Sequence, residues 1–314
     1  MQLKKPKFWD YKKPNLLSWS LWPLSKILEI FININKKKNK DNFKIKTICV
    51  GNIYIGGTGK TSLAITISEI LKNNNIKYCF IKKFYSDQYD EQKILQQYGK
   101  VFLSKKRIES LKDAEKEGYQ FAIFDDGLQD YSINYDLSLV CFNTINWIGN
   151  GMIIPSGPLR ENIRNLKFYS YIFLNGNLEN LEIIKKKIFT LNPNIEIIIG
   201  KYIPINLSDF DSNEKYIAFS GIGNHGSFIT MLKSFNLNII KDIEYPDHYI
   251  YSIKDINELI TLSEKLNCKI ITTEKDFVRL NHIKKDKIKF IKSKLEINDK
   301  KKLINAILKL DEVY

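Results

Sequence analysis

A mostly parallel β-sheet covered by helices on both faces is the fold this chain predicts, with a smaller α/β domain towards its C-terminal end. Three observations predict it. Short, unbroken apolar runs alternate with segments of helical spacing through most of the chain, the pattern of buried parallel strands joined by crossover helices. A glycine-rich loop, Gly56-Gly57-Thr58-Gly59, separates one such strand from the next helix. Farther on, the apolar run Phe121–Phe124 ends in two adjacent acids, Asp125 and Asp126. With 314 residues, 44% of them hydrophobic, the chain is long enough for one large or two ordinary domains and too apolar to be disordered.

Residues 1–46 stand apart from that pattern. They hold twelve lysines against Asp10, Glu29 and Asp41, a large share of a net charge of +14. Nucleic acid, anionic lipid and phosphorylated substrates all suit such a cluster, so charge alone does not choose. Between the lysines lies Leu16–Phe31, with Trp19 and Trp22 inside it and Trp9 just before it. Pro23, Lys26 and Glu29 interrupt this stretch, which falls short of the roughly 18–20 apolar residues of a spanning helix. Trp at an apolar–polar boundary with Lys beside it predicts a helix lying on a membrane surface. The plainer alternative is a helix that packs its apolar face on the protein's own core. Trp interleaved with Lys also suits base stacking on nucleic acid, yet the Leu/Ile-rich stretch suits lipid better. No small-residue cleavage site follows, so the chain is expected to stay on the cytoplasmic side.

The remaining elements follow in order. Thr47–Gly51 reads as a strand, Lys60–Leu71 as a helix and Lys77–Ile81 as a strand; Asp90–Gln97 and Lys105–Glu117 are helical in spacing. Phe121–Phe124, Leu137–Phe142 and Tyr171–Leu174 are further buried strands. A second set begins at Ile195–Ile199 and continues with Tyr216–Phe219, Leu237–Ile240, Ile253–Leu266, Lys269–Thr272, Ile288–Ile291 and Lys300–Leu310. The polar stretch Pro204–Asn213 is the natural boundary. The expected division is therefore a docking segment 1–46, a nucleotide-binding domain 47–203 and a C-terminal α/β domain 204–314. Cys49, Cys79, Cys141 and Cys268 are far apart and form no C-x-x-C pair, so they read as buried thiols of a reducing compartment.

Chemistry begins at Tyr54-Ile55-Gly56-Gly57-Thr58-Gly59-Lys60-Thr61. A glycine-rich turn between strand and helix lets backbone N–H groups face phosphate oxygens, and the helix N-terminus adds a favourable dipole. This is a loop of the P-loop NTPase type, with Tyr54 where the strict pattern has Gly. Lys60 is the candidate for the β- and γ-phosphates and the Thr61 hydroxyl for Mg²⁺. Asp125 and Asp126 would repel each other after a buried strand unless a cation sits nearby, which makes them candidates for the metal site. Gln129 is placed to reach the same site. No N-K-x-D motif of guanine-specific proteins occurs, only Thr273-Glu274-Lys275-Asp276. Ile55 stands where membrane-cycling ATPases carry an additional Lys.

In combination these blocks resemble the tetraacyldisaccharide 4'-kinase family of lipid A biosynthesis. Val50-Gly51-Asn52 with the glycine loop, Asp125-Asp126-Gly127-Leu128-Gln129 and Gly149-Asn150-Gly151 come first. Pro155-Ser156-Gly157-Pro158-Leu159-Arg160-Glu161, Gly221-Ile222-Gly223-Asn224, Asp247-His248 and Thr273-Glu274-Lys275-Asp276 follow in the family's order. The resemblance implies a peripheral enzyme on the cytoplasmic face of the bacterial inner membrane. It implies transfer of the ATP γ-phosphoryl, with Mg²⁺, to the 4'-hydroxyl of a tetraacylated glucosamine disaccharide 1-phosphate, giving lipid IVA. Lys60 and Arg160 would neutralise charge, and Thr61, Asp125, Asp126 and Glu161 are the implied metal ligands. The family pairs an acid with the His of Asp-His to activate the sugar hydroxyl; His248 matches the latter and Asp90 is the candidate acid.

The chain departs from the family at Lys82-Lys83-Phe84-Tyr85-Ser86, where a Ser-Arg-Gly-Tyr-like loop is usual, and at Ser62 and Asp130. Expected partners are the lipid substrate and the membrane surface, without nucleic acid, and a monomer is expected. The competing class is a membrane-associated P-loop regulatory or chaperone ATPase that modifies no lipid. Arg160-Glu161 and Asp247-His248 favour the kinase, since a switch protein needs no acceptor-activating pair. His225 and His282 read as loop or surface residues.

Overall fold

The computed structural model describes residues 5–36, 41–84, 89–176, 180–280 and 285–311. Tyr85 and Ser86 of the altered loop, His282, and the side chain of Asp90 lie outside the described residues. The chain forms two compact units: one from Lys5–Gly200 together with Ile297 onward, the other from Lys201–Glu296.

In the first unit, helix α1 (Leu16–Lys36) precedes strand β1 (Lys46–Gly51). Then come α2 (Lys60–Asn73), β2 (Tyr78–Lys83), α3 (Tyr89–Gln96), β3 (Val101–Ser104), α4 (Arg107–Lys116), β4 (Phe121–Asp125), β5 (Leu137–Asn143), β6 (Tyr171–Asn175), α5 (Leu181–Leu191) and β7 (Glu196–Pro204). The second unit holds β8 (Lys215–Ser220), α6 (His225–Ser234), β9 (Asn238–Glu244), α7 (Ile253–Lys265), β10 (Lys269–Thr273), α8 (Glu274–Arg279) and β11 (Ile288–Ile291). The chain returns through β12 (Ser293–Ile297) to α9 (Lys300–Leu308).

The larger sheet has the order β12-β7-β6-β5-β1-β4-β2-β3 and the smaller one β11-β10-β8-β9. In the larger sheet β1 pairs in parallel with both β4 and β5, with Val50 opposite Asp125. That register matters most for function. It sets the end of β1, where the glycine loop begins, beside the end of β4, where the acids stand. Order reversal about a central strand opens a crevice at the strands' carboxyl ends, where open α/β sheets bind ligands.

Strands β1, β4, β5 and β6 read as continuous apolar runs because both faces are covered. Cys49, Ile53, Phe124, Val140, Phe142 and Leu174 belong to one core cluster. Three of the four cysteines are buried and all four are free; burial pushes the Cys79 thiol up to about 12. In the second unit β8 shows its two faces by alternation. Tyr216 and Ala218 join Leu232 and Ile271 in one cluster, while Ile217 and Phe219 join Ile256 and Leu259 in another.

Helix α1 inverts the usual rule of apolar-side-in. Its buried residues are Ser18 and Ser25. Asn150 donates from Nδ2 to Ser18 Oγ (3.0 Å), and Ser25 Oγ donates to the Ile153 carbonyl (2.9 Å) and bonds Ser156 Oγ (2.7 Å). Trp19, Leu24, Ile27, Ile30, Phe31 and Ile34 are all more than half exposed. Leu28 packs against the main core cluster, while most of the helix's other apolar residues face outward. No helix among them is long and apolar enough to cross a membrane.

The segment before α1 is seated on the Gly149-Asn150 turn. The Asn150 amide donates to the Trp9 carbonyl (2.9 Å) and Trp9 Nε1 donates to the Pro155 carbonyl (3.0 Å). Gly149 has φ +57°, and a Cβ there would lie 2.2 Å from the Trp9 carbonyl oxygen. Gly149→Ala therefore combines backbone strain with a clash that no rotamer relieves, a cost of about 1–3 kcal/mol. The expected result is a lower thermal midpoint with faster proteolytic cutting near Trp9; an unchanged digestion pattern would contradict this docking.

Candidate active site

Gly59, at φ 86°, caps the N-terminus of α2, so Lys60 and Thr61 open the helix beside β4. Lys60 Nζ stands 3.9 Å from Asp126 Oδ1. Arg160 Nη1 donates to the same oxygen at 2.7 Å and to Gln129 Oε1 at 2.9 Å, and Gln129 Nε2 donates to the Asn52 carbonyl at 3.0 Å. Five residues from three separate sequence blocks are thereby drawn together. The loop after β5 reaches the site because the Arg160 amide donates to the Ile53 carbonyl (2.7 Å) and the Ile55 amide to the Pro158 carbonyl (2.9 Å).

Asp126 sits in the left-handed region at φ 63°, uncommon for a residue with a side chain and often stabilised at functional sites by its surroundings. Its amide donates to the Val50 carbonyl (2.8 Å), and Arg107 Nη2 donates to its carbonyl (2.7 Å). Burial raises the affinity of the Asp126 carboxyl for a proton, but Lys60 and Arg160 outweigh it and hold that carboxyl well below the usual range.

Asp125 is nearly inaccessible, at 1% exposure. Its Oδ2 accepts from Lys82 Nζ at 2.7 Å and from the Thr61 hydroxyl at 3.3 Å. Its Oδ1 is buried without a hydrogen-bond partner, as are Asn52 Oδ1 and Thr58 Oγ1. Buried acceptors left without donors are costly unless a ligand completes them.

Three predicted residues have other partners in the structure. Tyr54 is 2% exposed, and its hydroxyl donates to Asp10 Oδ1 (2.5 Å) and accepts from Lys5 Nζ (2.8 Å). The Ile55 amide is already engaged by Pro158. Glu161 is fully buried; Lys36 pairs with it, and it accepts from Asn165 Nδ2 (2.7 Å) and the Tyr169 hydroxyl (2.9 Å). Arg160 thus faces the acids while its neighbour holds the end of α1. Asp90 lies in the first turn of α3.

In the second unit, three family-like blocks meet. The Gly221 amide donates to Asp276 Oδ1 (3.1 Å), and the His248 amide donates to the Gly221 carbonyl (3.0 Å). Arg279 joins them through Nη1, to the Gly221 carbonyl (2.7 Å) and Asp276 Oδ1 (3.1 Å). Tyr251 adds its hydroxyl to Asp276 Oδ1 at 2.9 Å. His248 is at φ 57°, and Arg279 Nη2 lies 3.3 Å from its Nδ1. A guanidinium can only donate, so in that contact Nδ1 is the accepting atom.

His225 corrects the sequence reading. It is 5% exposed in the first turn of α6. Its Nδ1 meets Ser220 Oγ (2.7 Å) and its Nε2 meets Asp242 Oδ2 (3.1 Å), tying β8 to β9. Instead of a loop or surface position it has a helical one, and Asn224 caps that helix by accepting from the Ser227 amide. Arg107, Tyr251 and Arg279 carried no sequence signal beyond residue type.

A glycine loop facing paired acids, with a lysine and an arginine between them, defines a P-loop phosphotransferase. The model of the tetraacyldisaccharide-1-P 4'-kinase family matches residues 17–97 and 89–311. A tetraacyldisaccharide 4'-kinase of Pelagibacter ubique (strain HTCC1062) is 58% identical over 312 residues, 99% of each chain. Another from Rickettsia bellii (strain OSU 85-389) is 32% identical over 332 residues, covering 99% of this chain and 100% of its own. Among solved structures, LpxK from Aquifex aeolicus in complex with ATP has a similar fold, with a TM-score of 0.68 and 22% identity. That match covers 94% of this chain and 99% of the other. The chain belongs to the tetraacyldisaccharide 4'-kinase family.

The depressed Asp126 carboxyl has a consequence for pH. A group whose folded value is lowered contributes stability that is fully present above its unfolded value, about 3.9, and lost as pH falls through the folded value. The thermal midpoint of the ligand-free protein should therefore fall on acidification below about pH 4. Asp126→Asn should flatten that part of the profile; an unchanged acid limb would contradict the pairing with Lys60 and Arg160.

Proposed function

We propose that this chain transfers the γ-phosphoryl of ATP to the 4'-hydroxyl of tetraacyldisaccharide 1-phosphate, yielding lipid IVA, as a peripheral enzyme at the cytoplasmic face of the inner membrane. The observation that carries the reading is the convergence of Lys60 and Arg160 on Asp126 beside the glycine loop. Phosphoryl transfer needs positioning and charge neutralisation more than covalent help. The two cations rest on a carboxylate. Phosphate oxygens entering the loop would compete for both, Lys60 on the β- and γ-groups and Arg160 on the transferring one.

The residues present fit Mg²⁺. Asp125 Oδ1 is a buried acceptor without a partner, and the Thr61 hydroxyl already lies against the other oxygen. No group of three or more His, Cys, Asp and Glu able to hold a metal occurs among the described residues. That suits an ion that keeps water and phosphate ligands. Thr61, Asp125 and Asp126 would hold it, and when bound it would neutralise charge across the β- and γ-phosphates. Glu161, engaged by Lys36, Asn165 and Tyr169, would serve by anchoring α1.

Asp90 and His248 are the proposed residues for activating the sugar hydroxyl, with Asp90 as the carboxylate that takes its proton. The exposed apolar face of α1, with Lys26 and the lysines before it, would lie on the bilayer that holds the acceptor.

The test is transfer of labelled γ-phosphate from Mg-ATP to the tetraacyl disaccharide 1-phosphate in mixed micelles. Wild type should label the lipid, and Lys60→Ala, Arg160→Ala and His248→Ala should each lose about 10²–10³-fold in kcat/KM. ATP hydrolysis without labelled lipid would refute the kinase reading and favour a membrane-associated ATPase.

A further inference from the structure

Strand β2 is apolar and buried from Cys79 to Ile81, then continues into Lys82, which is 2% exposed. An ammonium is the most strongly hydrated cation a chain carries, and burying one without partners neutralises it. Here burial pulls the ammonium's proton affinity down, but Asp125 and Glu91 outweigh it and hold Lys82 charged, above the ordinary lysine value. Lys82 Nζ donates to Asp125 Oδ2 and to Glu91 Oε2, each at 2.7 Å. Those two acids belong to different elements, the end of β4 and the first turn of α3. Its burial and its double engagement make Lys82 a poor candidate for contact with a phosphate. Asp125 meanwhile keeps Oδ1 without a partner, so the ammonium occupies one oxygen of this carboxylate and leaves the other for a metal.

We propose that Lys82 is a positioning residue, a buried strut that joins Asp125 to Glu91 and so fixes the first turn of α3, where Asp90 stands, against the end of β4. The inference rests on the reading of Asp90 as the acid that meets the acceptor hydroxyl. Its physical content is that a metal ligand, Asp125, and the helix turn that carries the acceptor base are tied to one cation through Glu91. A shift of about 1 Å in either would be enough to cost ~10²-fold in rate. Lys82 also supplies a permanent counter-charge to Asp125, so the buried carboxylate is stable before any metal arrives.

Four variants of the full chain test this: Glu91→Gln, Lys82→Met, their double, and Asp90→Asn. Glu91→Gln keeps the Lys82–Asp125 pair and should fold as wild type, with kcat lowered about 10²-fold and KM for ATP within about threefold. Adding Glu91→Gln to Lys82→Met should cost nothing further, since residues that act through one contact are not additive. Without nucleotide, millimolar Mg²⁺ should raise the thermal midpoint of Lys82→Met by several degrees more than that of wild type, because Asp125 then has no other counter-cation. Wild-type kcat in Glu91→Gln, or a double variant as low as the product of the singles, would overturn the strut. Should Lys82→Met not fold, Glu91→Gln alone decides through its kcat. Asp90→Asn separates the two ideas. If it turns over normally while Glu91→Gln is slow, the role of Asp90 fails and the strut stands. If it is inactive while Glu91→Gln is normal, the strut fails and the role of Asp90 stands.

Discussion

Two adjacent carboxylates at the end of a buried strand are the constraint around which the first unit is organised. Asp125 and Asp126 leave β4 next to the end of β1, where like charges in a poorly hydrated crevice repel unless cations are brought to them. The fold supplies those cations from separate elements. Lys82 comes from β2 and serves Asp125; Lys60 opens α2, Arg160 arrives on the loop after β5, and both serve Asp126. Arg107, opening α4, secures the Asp126 carbonyl. The cations divide into two sorts. Lys82 is buried and doubly paired, and so permanent. Lys60 and Arg160 are partly exposed, with 16% and 26% of their side chains accessible, and suited to exchange a carboxylate for phosphate.

The loop 149–161 links this charge cluster to the N-terminal helix. Asn150 and Ser156 bind serines of α1, Glu161 holds Lys36, and Asn162 Nδ2 donates to Glu29 Oε1 at 2.7 Å. The same loop presents Arg160 to Asp126. Polar residues of α1 are thus spent on the protein, and, Leu28 apart, most of its aromatic and aliphatic residues are left outward. A surface helix of a soluble domain does the opposite. The inversion places the outward apolar side of α1 and the loop that carries Arg160 on directly bonded elements.

Much of this was legible in the sequence because parallel strands covered on both faces are continuous apolar runs, as at β1, β4, β5 and β6. The glycine loop and the Asp-Asp pair were legible because few backbones need three glycines before Lys-Thr. What escaped were elements without that signature. Strand β3, absent from the reading, is short and half-buried along its length. Strand β12 opens on two exposed residues and then sets exposed Glu296 between buried Leu295 and Ile297 inside a charged run. Strand β9 continues to Glu244 through residues that are mostly exposed. In the site, the partners of Asp126 followed from motif blocks, but the direction of Glu161, away from the acids and toward α1, depended on a turn no spacing reveals. Lys82 offered the clearest overlooked signal, a lysine within an otherwise apolar strand entering the site.

The central claim is that the cations on Asp126 are exchangeable and the one on Asp125 is not. The most direct measurement is the crystal structure of the protein with Mg²⁺ and a non-hydrolysable ATP analogue. The account predicts Lys60 and Arg160 withdrawn from Asp126 onto phosphate oxygens, the ion beside Thr61 and Asp125 Oδ1, and Lys82 still paired with Asp125 Oδ2. Phosphates bound with Lys60 and Arg160 still on Asp126, or Lys82 displaced from Asp125 by the ion, would contradict it.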